Sequence, residues 1–189
     1  MRLDFIPEPL NRLKNPPKQL NFIGDTSLLS LPKIAVVGSR KASVYTKECV
    51  VALCAALKSA NVCVVSGGAI GVDIVAHKAA MPRTIGIFAS GLDTIYPSQN
   101  KVAIKEIYEK ALALSEYDEG EPPLAYRFLE RNRIVVGLCE ALVVAQADLK
   151  SGSMQSARLA NELKIPVYVL PQRMGESDGT NFLLANKKA

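Results

Sequence analysis

The chain has 189 residues, 49% hydrophobic and 22% charged, which is enough apolar material for one domain with a sizeable core. Lysine plus arginine (23) exceeds aspartate plus glutamate (18), and the net charge of +5 suits nucleic acid or phosphates without demanding either. No apolar run approaches the roughly 18 residues of a membrane span, and Met1–Pro9 carries charges where a signal peptide would not, so a cytoplasmic protein without a membrane partner is expected.

Residues 1–33 are punctuated by Pro7, Pro9, Pro16, Pro17 and Pro32. With short apolar pieces such as Gln19–Gly24 and Ser27–Leu31 between the prolines, they read as an extended arm packed on the domain with one possible short strand. Residues 34–189 read as the domain itself. Ile34–Gly38 is continuously apolar, as a central parallel strand is, and a corner Gly38-Ser39-Arg40-Lys41 leads to a helix at Ser43–Ala60 with Ser43 or Ser39 as its cap. Val62–Ser66 is a second strand, and Ser66-Gly67-Gly68 with Gly71 turns it into a helix at Val72–Met81. Thr84–Ala89 is a third strand, followed by a helix at Ser98–Ala113 and a short strand at Leu114–Tyr117. A proline-containing loop, Asp118–Tyr126, precedes a helix at Phe128–Cys139 with Arg131, Asn132 and Arg133 near its start. Ala141–Ala145 is a buried strand, Gln146–Gly152 a corner and Ser153–Leu163 a helix; Pro166–Leu170 is a last strand and Thr180–Ala189 a terminal helix. Alternating strands and helices imply an α/β fold with a doubly wound, mostly parallel sheet.

Ligands in such a sheet bind beyond the carboxyl ends of the strands. There the sequence puts Gly38-Ser39-Arg40, Ser66-Gly67-Gly68, Ser90-Gly91 and Ser151-Gly152-Ser153, turns rich in N–H and hydroxyl donors at helix N-termini. None has a carboxylate in the turn itself, although Asp73, Asp93 and Asp148 are close in sequence. With Arg40, Lys41, Arg131 and Arg133 added, the pattern is that of a polyanion site. The G-x-G-x-x-G and Walker fingerprints are absent, which argues against the usual dinucleotide and ATP cofactors. His77 is the sole histidine and lies within a helix, so it reads as a packing residue; no metal site and no catalytic residue are expected. Asp73 reads as a capping partner at a helix N-terminus. Cys49, Cys54, Cys63 and Cys139 form no C-x-x-C pair and read as buried free thiols. Phe128 stands among Arg127, Arg131 and Arg133, the company of an aromatic that stacks a base of a single strand, though a core role would also place an aromatic there.

The motifs taken together resemble the DNA-processing protein A family, also called Smf. The arm carries Ile6-Pro-Glu-Pro-Leu and Asn15-Pro-Pro-Lys-Gln-Leu. The domain carries Ile34-Ala-Val-Val-Gly-Ser-Arg, Val65-Ser-Gly-Gly-Ala-Ile-Gly-Val-Asp with Ala76-His77, and Ser90-Gly-Leu-Asp-Thr-Ile-Tyr-Pro. Phe128 with Arg131-Asn-Arg-Ile-Val-Val-Gly, Ser151-Gly-Ser with Ala157-Arg158, and Gly179-Thr-Asn complete the order. The resemblance implies a Rossmann-like domain that is no enzyme and binds single-stranded DNA. It also implies protection of incoming DNA, loading of the RecA recombinase during natural transformation, and a homodimer through the C-terminal part of the domain. Winged-helix-like or N-terminal helical domains common in the family are not expected within these residues. The candidate DNA-binding residues are Gly38, Ser39, Arg40, Lys41, Ser66, Gly67, Gly68, Gly71, Phe128, Arg131, Asn132, Arg133, Ser151, Gly152 and Ser153. The chain departs from the family at Ile70, where an Arg is usual, and at Thr46 and Gln172, where Gly is usual. The alternative is a nucleotide phosphoribohydrolase of the lysine-decarboxylase-like group, but its P-G-G-x-G-T-x-x-E signature is missing: the matching corner reads Lys150-Ser-Gly-Ser-Met-Gln-Ser-Ala.

Overall fold

The computed structural model describes residues 1–173, 175–186 and 188. In chain order the elements are β1 (Asn21–Gly24), β2 (Lys33–Val37), α1 (Val44–Ser59), β3 (Cys63–Ser66), α2 (Val72–Ala80), β4 (Thr84–Phe88), α3 (Lys101–Lys110), β5 (Leu112–Ser115), α4 (Ala125–Gly137), β6 (Ala141–Val144), α5 (Gly152–Glu162), β7 (Val167–Val169) and α6 (Asp178–Ala185). The strands form one seven-stranded sheet in the order β1-β5-β4-β3-β2-β6-β7. All pairings are parallel except that of β1 with β5, so the expected doubly wound α/β sheet is what the chain builds. The chain moves outward from β2 through β3, β4 and β5, then returns to the other side of β2 for β6 and β7. The order therefore reverses at β2, and a crevice opens there beyond the carboxyl ends.

Side chains alternate between the two faces of each strand. Val36, Val64 and Val143 pack against Val50 and Cys54 of α1 and Val72, Ala76 and Ala80 of α2. Ala35, Val37, Val65, Ile85, Ile87 and Leu142 share a larger cluster with Ile134 and Val136 of α4, Met154 and Ala157 of α5, and Leu183 of α6. The arm joins this second cluster through Leu10, Leu13 and Leu20. It supplies the edge strand β1, and Arg12 donates from Nε and Nη2 to Gly137 O and from Nη2 to Cys139 O, satisfying carbonyls at the C-terminal end of α4.

Several boundaries differ from the sequence reading. The helix expected at Ser98–Ala113 is a 3-10 turn at Ser98–Asn100 followed by α3, and Leu112–Ala113 already belong to β5. The alanines favour helix, but Leu112 and Leu114 are fully buried and β5 is hydrogen-bonded on both sides, so tertiary pairing overrides propensity. α4 begins at Ala125, three residues before Phe128, which puts Arg131 and Asn132 in its second turn and Arg133 in its third. The terminal helix ends at Ala185; Lys187 and Ala189 of the expected span lie outside the described residues. Ser43 rather than Ser39 caps α1, accepting from Thr46 N. No helix of the described residues is long and apolar enough to cross a membrane.

Candidate nucleic-acid interface

A cavity of about 790 Å³ lies where the strand order reverses, between the corners that follow β2 and β6 and beneath α4. Its lining includes Gly38, Ser39, Arg40 and Lys41 from the first corner, Ser151, Gly152 and Ser153 from the last, and Phe128, Arg131 and Asn132 from α4.

The first corner is fixed on three sides. Ser39 N donates to Gln146 O at 2.7 Å, Ser39 O accepts from Val72 N at 3.2 Å, and Ser39 Oγ accepts from Lys41 N at 3.0 Å. Arg40 and Lys41 are left exposed at the rim. At the last corner Ser151 Oγ accepts from Met154 N at 3.3 Å and caps α5, whose N-terminus opens into the cavity. Leu129 and Asn132 of α4 lie over Gly152, leaving a Cβ there in ordinary contact with both.

Phe128 is at the mouth and half-buried. The Arg40 guanidinium lies 5.8 Å from its ring centroid, and the Tyr96 ring lies 5.6 Å away, tilted by 52°. Tyr96 is a site residue that the sequence reading missed. It sits in the loop after β4, and the available signal was an aromatic at the carboxyl end of a central strand. Asp148, noted in the sequence only as close to the last corner, and Ser156, which was not noted, also line the cavity.

Ser66, Gly67, Gly68 and Gly71 of the second corner are not among the lining residues, although Ala69 and Asp73 of the same corner are. Some of its donors are already taken. Gly67 N and Ala69 N both donate to Asp73 Oδ2, at 3.2 and 3.4 Å, and Ser66 Oγ donates to Val36 O at 2.6 Å. Asp73 is the anion for this corner: it holds the turn, whereas α2 itself starts from Gly71 without a side-chain cap, which corrects the expected capping role. Gly71, at φ +84°, lies where a Cβ would come 2.2 Å from Ser39 O, so its absence of a side chain lets the first two corners touch. Ile70 is partly exposed and outside the cavity lining, next to the lining residue Ala69.

Arg131 is buried at the floor. Its guanidinium occupies the space above Gly67, where a Cβ would fall 1.5 Å from Nη1. Burial lowers its pKa while the charge of Asp73 opposes that, and burial raises the pKa of Asp73 while Arg131 opposes it in turn. Arg133 points away from Arg131. Residues two apart on a helix point about 200° apart. Its Nη2 accordingly leaves the cavity and donates to Glu116 Oε1 at 2.5 Å. Arg127 binds Glu121 at 2.5 Å and lies 4.3 Å from the Tyr117 ring centroid, bracing the loop before α4.

The two other departures from the family pattern meet each other. Gln172 Nε2 donates to Thr46 Oγ1 at 3.0 Å and to Ala145 O at 2.9 Å. Thr46 Oγ1 accepts in turn from Ser43 Oγ at 3.0 Å, so Thr46 and Gln172 form a bonded pair behind the first corner.

The remaining chemistry-bearing residues are structural. His77 is fully buried; Thr84 Oγ1 donates to Val64 O at 2.8 Å and so accepts from His77 Nδ1 at 2.7 Å. Cys54, Cys63 and Cys139 are buried and Cys49 partly so; burial pushes the Cys54 and Cys63 thiols up to about 12. Among the described residues no group of three or more His, Cys, Asp or Glu could hold a metal ion.

The model for the DNA recombination-mediator protein A family matches residues 3–189. The chain belongs to that family. DNA processing protein DprA of Streptococcus pneumoniae is 39% identical over 186 residues, covering 96% of this chain and 66% of that protein. Protein Smf of Escherichia coli is 37% identical over 187 residues, covering 96% of this chain and 50% of that protein. The chain thus spans between half and two thirds of the length of these curated relatives. DNA processing protein A from Helicobacter pylori, described for its single-stranded DNA binding mode, superposes with a TM-score of 0.99 at 46% identity, covering all of this chain and 88% of that one. By its description the family is one of DNA recombination mediators.

Proposed function

We propose that this domain binds single-stranded DNA in the cavity at the sheet's switch point, as part of a DprA recombination mediator. The observation that carries the proposal is the grouping of Arg40, Phe128 and Tyr96 at the mouth of a donor-lined cavity. An exposed aromatic face next to a cation accepts an unpaired base and its phosphate together, and no base of a duplex offers its face. The binding of a single strand by the Helicobacter pylori relative supports the reading.

The proposal extends to the family's cellular role: a cytoplasmic protein that protects incoming strands and loads RecA recombinase on them during natural transformation. It also includes a homodimer through the C-terminal part of the domain. The exposed Tyr168, Phe182 and Leu184 on β7 and α6 support that face, and light scattering over a range of concentrations tests it.

Fluorescence titration of labelled single- and double-stranded oligonucleotides tests the central reading. Single strands are expected to bind more tightly. Phe128→Ala should weaken single-strand binding by about 1–3 kcal/mol, roughly 5- to 150-fold, with little sequence dependence. Equal affinity of the parent and Phe128→Ala for single strands would remove Phe128 from the site.

A further inference from the structure

Arg131 has a feature that binding along a running strand leaves unused. It is only 5% exposed, and among the described residues it makes no hydrogen bond and has no ion pair within 4.0 Å. Its Nε is buried without a partner, and the residue lines the cavity floor. An unpaired buried guanidinium is costly, and an anion with several acceptors relieves that cost. The N-terminus of the 11-residue α5 opens into the same cavity, and Gly152 N and Ser153 N have no hydrogen-bond acceptor among the described residues.

A phosphodiester inside a strand carries one charge and two free oxygens, and its chain must both enter and leave the site. A phosphate monoester carries close to two charges and three acceptor oxygens, and it is attached on one side only. Arg131 and the α5 N–H groups match the second description. Two carboxylates also line the cavity: Asp73, whose Oδ2 is engaged by Gly67 N and Ala69 N, and Asp148 near the last corner. The rim cations Arg40 and Lys41 offset them.

We infer that the cavity floor is a phosphate-monoester site, filled by the terminal phosphate of a DNA strand or by a free nucleoside monophosphate. The inference rests on the cavity being the strand-binding site proposed above.

The test uses one oligonucleotide with a 5′-phosphate, a 3′-phosphate or neither, together with competition by dAMP, deoxyadenosine and inorganic phosphate. A phosphorylated end is expected to bind about tenfold more tightly than the unphosphorylated strand, the order of one charge-assisted hydrogen-bond set. dAMP should displace the strand where deoxyadenosine does not. A gain from end phosphates without dAMP competition identifies the strand end as the source; dAMP competition without such a gain identifies the free nucleotide. Equal binding of all three strands with no competition by dAMP overturns the inference while leaving single-strand binding intact. Failure of the unphosphorylated strand to bind instead counts against the proposed function. Arg131→Lys should abolish the monoester preference, and the parent's ligand comparison decides the matter even if that variant does not fold.

Discussion

Gly67→Ala is expected to cost both stability and single-strand binding, although nothing about the backbone at Gly67 demands glycine. The added Cβ would lie 1.5 Å from Arg131 Nη1 and 2.4 Å from Cζ, so the two groups exclude each other. Arg131 is held in place by the helix that bears it, where Ile134, Val135 and Val136 are buried in the main cluster. The guanidinium must therefore swing off the floor, or the β3 corner must move with Asp73 attached. Overpacking of this kind costs about 1–3 kcal/mol, and a displaced floor should lower single-strand affinity by roughly tenfold, the value of one charged contact. Arg131→Ala should relieve the clash, so the double variant should lose less than the sum of the single losses, with a coupling of about 0.5–3 kcal/mol. Gly71→Ala is the control: its clash is with backbone, Ser39 O at 2.2 Å, and its φ of +84° is unfavourable to any side chain, so removing Arg131 should bring no relief there. Urea unfolding of the single and double variants measures this. Additive losses in the Gly67–Arg131 cycle would contradict the packing described.

Acid should destabilise the domain well before most carboxylates titrate, and His77 should carry much of that effect. Burial, with the Arg131 charge adding to it, lowers the His77 pKa from 6.5 to about 3. Below pH 6.5 the unfolded chain takes up a proton that the native ring refuses, so stability falls as pH drops through that window towards 3. The limiting slope for one proton is about 1.4 kcal/mol per pH unit, roughly 2 kcal/mol between neutrality and pH 5. Asp73 acts with the opposite sign. Its pKa is raised from 3.8, so the native state holds a proton just above that value and acid favours the fold through this group. The clean measurement is a difference: urea midpoints from pH 7.5 to 4.5 for the parent and for His77→Leu. The variant should be less stable at neutral pH, because Thr84 loses its partner, and should show a shallower fall with acid. Parallel curves would show that His77 does not set the acid response.

The fold was legible in the sequence because its central strands are unbroken apolar runs ending in small-residue corners. Ile34–Val37 and Ala141–Val144 needed only burial on both faces to be recognised, and they are neighbours in the sheet. The α3–β5 boundary was not legible, since Ala111-Leu112-Ala113 suits a helix as well as a strand and only pairing with β4 and β1 decides. The same limit applies to the site. Glycine and serine at a strand end signal a tight corner but not what the corner faces. Ser66-Gly67-Gly68 and Gly38-Ser39-Arg40 read alike, yet Asp73 fills one and the cavity opens at the other. Arg131 and Arg133 read alike too, until helical phase sends one to the floor and the other to Glu116. Tyr96 was missed because its meeting with Phe128 joins the loop after β4 to helix α4, far apart in the chain.

The central claim is that the strand's phosphates are held at this cavity, and Arg40 tests it most directly. Arg40 is exposed, with the Phe128 ring as its partner among the described residues, so Arg40→Ala should unfold like the parent. The measurement is single-strand affinity against salt concentration for both proteins. Each phosphate contact on a single strand contributes a log–log slope of about −0.7. Arg40→Ala is expected to bind more weakly to all sequences alike and to show a slope shallower by about 0.7. An unchanged affinity and slope would place the strand elsewhere on the domain.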